Sequence, residues 1–150
     1  GDATTFNSTE GVLYAEMASL SNEVTSNYIS ISDGTYNNRV SILYSNGSNI
    51  IRAFLRVGGV PQFDSQFIVA DVTEFHKVAF KFSENDFALW IDGVEVATDT
   101  SGSTIPSGTL TKLSFSEINT TSNTFKGKVK ALAVFNEALT DSELECLTTI

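Results

Sequence analysis

The sequence predicts an all-β fold: an antiparallel sandwich of two packed sheets with one short helix near the C-terminal end. Three observations carry that prediction. Apolar and polar residues alternate over short segments through most of the 150 residues, which is the period of a strand with one face in a core. Gly, Asn, Asp and Ser break the segments at turn-like intervals. Helix signals are confined to the last dozen or so residues. The length fits one domain, residues 1–150, with enough chain to bury a sizeable core.

The segments follow in order. Gly11 to Leu20 alternates, with Val12, Tyr14, Glu16 and Ala18 on one face and Leu13, Ala15 and Met17 on the other. Tyr28 to Ser32 projects Ile29 and Ile31 together and ends in the turn signal Asp33-Gly34. Arg39 to Tyr44 groups Val40, Ile42 and Tyr44 ahead of a Ser45-Asn46-Gly47-Ser48 turn. Ile50 to Val57 sends Ile51, Ala53, Leu55 and Val57 one way and Arg52, Phe54 and Arg56 the other, and Gly58-Gly59 ends it. Phe67 to Val72 reads as a strand or as part of a loop. Phe75 to Phe82 carries Val78, Phe80 and Phe82 on one side, and Ser83 to Asp86 turns the chain. Phe87 to Ile91 returns with Phe87, Leu89 and Ile91 inward and Trp90 outward. Asp92-Gly93 then makes a tight hairpin into Val94 to Ala97, because both central positions of such a turn need positive φ. Beyond a polar loop come Leu110 to Ser116, a second polar loop, and Lys126 to Phe135. Thr140 and Glu143 stand at the spacing of a capping box ahead of Leu144, so one short helix follows. About ten strands with almost no helix pack as two antiparallel sheets.

Nine basic residues against eighteen acidic ones give a net charge of −9. A phosphate backbone is repelled on average, and Lys and Arg cluster nowhere along the chain, so nucleic acid and anionic membranes are excluded as partners. No apolar run approaches the ~20 residues of a membrane helix. The first residues lack a signal peptide's basic start and apolar stretch, and a glycine at position 1 is expected of an excised or processed fragment. One cysteine, Cys146, allows no intrachain disulfide and is expected to pack as a small hydrophobe. There is no internal repeat, no coiled-coil heptad pattern, no glycine-rich phosphate loop and no paired Cys/His metal motif.

Two stretches are more specific than generic strands. Phe75 to Ala97, FHKVAFKFSENDFALWIDGVEVA, and Gly127 to Leu147, GKVKALAVFNEALTDSELECL, resemble the central hairpins and the closing strand of laminin-G-like domains in the concanavalin A-like lectin/glucanase superfamily. In that family a W/H-x-h-A-h strand (h is hydrophobic) and a polar turn lead into h-x-L-Y-h-D-G. Trp90-Ile91-Asp92-Gly93 fills that last part. The resemblance covers about a third of the chain. It implies a jelly-roll sandwich acting as a non-catalytic carbohydrate- or receptor-binding module. The Ser/Thr/Asn-rich style further resembles modules of phage tail fibres and appendages or of secreted surface proteins. The implied setting is extracellular or on a virion surface, facing a cell-surface glycan or receptor, with homo-oligomers formed through a parent fibre.

Sugar recognition uses aromatic faces against pyranose C–H groups and planar polar side chains against hydroxyls. If the strands carrying them are neighbours, Tyr14, Arg52, Arg56 and Trp90 form one such patch. The alternative buries Trp90 and pairs the arginines with surface acids. Related modules bind calcium through loop carboxylates, and Asp33, Asp64 and Asp71 are the candidate ligands. The same residues serve as ordinary turn formers. His76 is read as a hydrogen-bonded structural residue. Retaining glucanases need two carboxyls roughly 5–5.5 Å apart. Glu95 and Asp99 come nearest to that pattern but run into a loop, so no enzyme is expected. Two other readings remain: a structural or decoration domain making only protein–protein contacts, and a glycan-cleaving enzyme. Asn7, Asn46 and Asn119 begin Asn-x-Ser/Thr sequons that matter only in a eukaryotic secretory host.

Overall fold

The computed structural model describes residues 2–118 and 120–150. The fold is the expected antiparallel β-sandwich. In chain order the elements are β1 (Gly11–Ser19), β2 (Glu23–Val24), β3 (Asn27–Ser32), β4 (Arg39–Tyr44), β5 (Gly47–Ser48), β6 (Ile50–Val57), β7 (Val60–Ile68), β8 (His76–Ser83), β9 (Asp86–Ile91), β10 (Val94–Asp99), β11 (Lys112–Ser114), β12 (Gly127–Phe135) and α1 (Asp141–Thr148). The first sheet has the order β10-β9-β8-β1-β12, the second β11-β3-β4-β6-β7, and β2 with β5 makes a small two-stranded sheet. Among the described residues no helix is long and apolar enough to cross a membrane.

The alternation places the core as expected. Leu13, Ala15, Met17, Val78, Phe80, Phe82, Phe87, Leu89 and Ile91 face inward from the first sheet. Ile29, Ile31, Val40, Ile42, Tyr44, Ile51, Ala53 and Leu55 meet them from the second. Phe63 joins the layers, its ring stacked 4.9 Å from Phe80 and 6.0 Å from Phe87. Burying each such ring stabilises the fold by about 1.5–3 kcal/mol. The Tyr44 hydroxyl enters this core without a hydrogen-bond partner, and burial pushes its pKa upward.

The turns make the register. Asp92 and Gly93 both have positive φ, 52° and 82°, as a primed two-residue hairpin requires. Gly58 and Gly59, with φ of 56° and 83°, are also a hairpin and not merely a strand end. They feed β7, so the strand expected from Phe67 to Val72 begins seven residues earlier, at Val60, and ends at Ile68. This strand hides in the sequence because it is an edge strand, VPQFDSQFI, mostly exposed and containing Pro61. Pro61 sits where the β6–β7 register shifts, a place that tolerates a missing N–H.

The outer faces of the two sheets differ. The capping box forms as expected: the Thr140 hydroxyl accepts from Glu143 N–H, and the Glu143 carboxylate accepts from Thr140 N–H. The helix lays Leu144 against Val12, Tyr14, Ala79, Ala88 and Trp90, closing the outer face of the first sheet. Leu144 and Thr148, one turn apart, are the buried residues of α1. Cys146 points away from that seam and is exposed, contrary to the expected packing. The outer face of the second sheet has no helix over it.

Candidate functional site

The second sheet's outer face is built by the residues that alternation leaves off the core. Arg39, Ser41 and Leu43 come from β4 and Arg52, Phe54 and Arg56 from β6, in antiparallel register: Arg39 opposite Arg56, Ser41 opposite Phe54, Leu43 opposite Arg52. Ser30 of β3 continues one row, its hydroxyl 2.7 Å from that of Ser41. Tyr28, Leu43 and Phe54 form a small buried apolar cluster on this face, with Tyr28 edge-on to Phe54.

All three arginines of the chain stand here. Arg39 is 4% exposed, its guanidinium 4.7 Å from the Phe54 ring centroid and 5.2 Å from that of Tyr36. Tyr36, in the loop between β3 and β4, is 47% exposed. Arg39 Nη1 lies 2.7 Å from Glu117 Oε1 in an ion pair, and Arg39 Nε has no acceptor. Burial holds the Arg39 pKa below the usual guanidinium range, while Glu117 pushes it back up. Arg52 makes a bidentate pair with Asp64 at 2.7 and 2.6 Å, which raises its pKa. It also lies 5.4 Å from the Phe54 ring. Half-buried Arg56 has no ion pair among the described residues.

The structure separates the four expected contact residues into two pairs. Arg52 and Arg56 lie, partly buried, on the outer face of the second sheet. Tyr14 and Trp90 flank Ala79 across β1, β8 and β9 of the other sheet, buried beneath α1 at 6% and 7% exposure. A sandwich about 10 Å thick intervenes, so the single patch of Tyr14, Arg52, Arg56 and Trp90 does not exist. Strand alternation correctly turned Trp90 off the main core but could not say that a helix covers it. Sequence reasoning missed Arg39, Tyr36 and Glu117. For Arg39 a signal was present: with Val40, Ile42 and Tyr44 inward, Arg39 must share the face of Arg52 and Arg56 once β4 and β6 pair.

The proposed metal ligands stand apart. Asp33 caps its own turn, accepting from Thr35 and Asn38. Although partial burial opposes it, these hydrogen bonds hold its carboxyl below the ordinary value. Asp64 lies within β7, not at a strand end, and is occupied by Arg52. Asp71 accepts from the hydroxyl and N–H of Thr73, which lower its pKa. Among the described residues no three His, Cys, Asp or Glu side chains gather as a metal site. His76 is hydrogen-bonded through both ring nitrogens: Nδ1 faces Asp92 Oδ2 and Nε2 faces the Asp71 carbonyl. Asp99 caps a turn at Ser101, and Glu95 lies exposed on β10, opposite Trp90. Of the sequons, Asn7 is bonded to Asn136 and Thr9 and Asn46 accepts from Ser26. Asn119 lies outside the described residues.

A family model described as concanavalin A-like lectin/glucanases superfamily, Laminin_G_3, matches residues 5–145. No curated protein matches the chain. Among solved structures, it is similar to the CBM40 domain of the Ruminococcus gnavus IT-sialidase, with TM-score 0.78, 19% identity, and coverage of 99% of this chain and 87% of that one. That domain is also solved bound to α2,3-sialyllactose. Domain 4 of AbnA, a GH43 extracellular arabinanase of Geobacillus stearothermophilus in complex with arabinotriose, aligns with TM-score 0.73 and 16% identity, over 99% of this chain and 70% of that one.

Proposed function

We propose, from the premise that the chain belongs to the laminin-G-like family of the concanavalin A-like lectin/glucanases superfamily, that it is a non-catalytic carbohydrate-binding module. Its site is the outer face of the second sheet. The observation that carries this reading is the exposed Tyr36 ring stacked over Arg39, beside Arg52 and Arg56, on the sheet face that no helix covers. An aromatic platform with planar donors at its rim is what a pyranose ring requires. The likeness to sialyllactose- and arabinotriose-bound domains supports it.

The reaction chemistry of a glycosidase has no place on this face. Asp64 and Glu117 are each held by an arginine, so neither stands free as one of the paired carboxyls that a glycosidase needs. One shallow site binds weakly, and display in several copies on a fibre or secreted surface protein raises avidity through effective concentration. A cell-surface glycan met outside the cell or from a virion surface is the matching partner. A glycan array probed with the wild-type chain and with Tyr36→Ala, each with and without EDTA, tests the reading. Binding that Tyr36→Ala abolishes supports it, and a wild-type chain that binds no glycan overturns it. Loss of binding in EDTA would assign calcium a part.

A further inference from the structure

Arg39 and Arg56 are directly opposite one another on adjacent strands, and like charges so placed destabilise a sheet. The pair is poorly compensated. Glu117 meets only Arg39, through Nη1 at 2.7 Å, and the Nε of that buried guanidinium has no acceptor. No acid meets Arg56 among the described residues. Three guanidiniums against Asp64 and Glu117 leave this face with a surplus positive charge, on a chain whose net charge is −9. Buried charges without full partners cost stability, and the main core lies on the opposite side of both strands.

We propose that the face recognises an acidic sugar, a glycan bearing a carboxylate, with that carboxylate seated on Arg56 beside Arg39 and the ring on Tyr36. This rests on the carbohydrate-binding reading above and names its ligand class. A planar carboxylate matches the guanidinium fork in a bidentate way that a hydroxyl does not. Ligand binding then supplies the second negative charge that the Arg39–Arg56 pair lacks.

The test is calorimetric titration of the wild-type chain, Arg56→Gln and Tyr36→Ala with 3′-sialyllactose and with trigalacturonate. Each is used as the free acid and as its methyl ester. Arg56 is half-buried, so Arg56→Gln is expected to fold, and its thermal unfolding serves as the check. The expected result is that esterification weakens wild-type binding of at least one sugar tenfold or more. In Arg56→Gln acid and ester bind alike, at about the wild-type ester affinity, and Tyr36→Ala weakens both forms. Equal wild-type affinity for acid and ester, or an acid preference that survives in Arg56→Gln, overturns the acidic-ligand inference alone. In that case binding to neutral glycans on the array would leave the carbohydrate reading standing. Failure to bind any glycan, acidic or neutral, overturns both.

Discussion

His76 Nδ1 stands 2.5 Å from Asp92 Oδ2, so the first residue of β8 is tied to the turn that joins β9 to β10. The other Asp92 oxygen accepts from Lys77 N–H, and His76 Nε2 reaches the Asp71 carbonyl. One aspartate thus fixes both the hairpin turn and the strand beside it. Hydrogen bonds to charged groups contribute about 1.5–3 kcal/mol each. His76→Ala is therefore expected to lower the unfolding free energy by about 2–3 kcal/mol in denaturant melts. Glycan affinity should not change, because the second sheet's outer face lies across the core.

Trp90 is the only tryptophan, and α1 covers it through Leu144. Leu144→Ala should cost about 2–5 kcal/mol and shift the native tryptophan emission to longer wavelength as water reaches the ring. Thr140→Ala, which removes the cap, should cost about 1 kcal/mol with little spectral change. Trp90→Ala is expected to destabilise the fold while leaving glycan binding intact. Lost affinity in a variant that still folds would return Trp90 to the ligand site.

Two glycines sit where β1 and β12 press together. A Cβ at Gly11 would lie 2.5 Å from the Phe135 carbonyl oxygen, and one at Gly127 would lie 2.4 Å from that of Ala18. Backbone atoms cannot step aside as a flexible side chain can. Gly11→Ala and Gly127→Ala should each cost about 1–3 kcal/mol, measured as a fall in denaturation midpoint with an unchanged slope. Gly58→Ala meets no atom within 4 Å, and its penalty comes from its positive φ of 56° alone.

Asp33 gives the sign of an acid-dependent term. Its folded pKa is depressed by hydrogen bonds from Asn38 and Thr35, which outweigh desolvation. The stabilisation is therefore present above the unfolded carboxylate pKa, about 3.9, and is lost as pH falls through the lower folded value. Wild type should exceed Asp33→Asn in stability at pH 7, and the two unfolding curves should converge as pH falls through the folded value. A gap that persists or widens in acid would contradict this assignment.

The inward face of nearly every strand was legible because one-sided burial forces period two. Ile51, Ala53 and Leu55 separate from Arg52, Phe54 and Arg56 by position alone. Neighbour relations were not legible. Register comes from turns, and Gly58-Gly59 read as a terminator when it is the hairpin that makes β6 and β7 partners. The edge strand β7 escaped notice because an edge needs few apolar residues and admits Pro61. The site was only half visible for the same reason: Arg52 and Arg56 share a strand, whereas joining Arg39 to them requires the β4–β6 pairing. Tyr36 reaches Arg39 from a loop that carries no periodicity, and Glu117 lies far along the chain. Trp90 misled because leaving the core does not mean reaching solvent when a helix lies over the sheet.

The most direct measurement is a backbone NMR titration of the isotopically labelled chain with the strongest-binding glycan from the array. The account predicts saturable shifts clustered at Tyr36, Arg39, Phe54 and Arg56, on the outer face of the second sheet, with α1 and Trp90 undisturbed. Shifts gathered on α1 and the strands beneath it, with none around Tyr36 and Arg56, would contradict it.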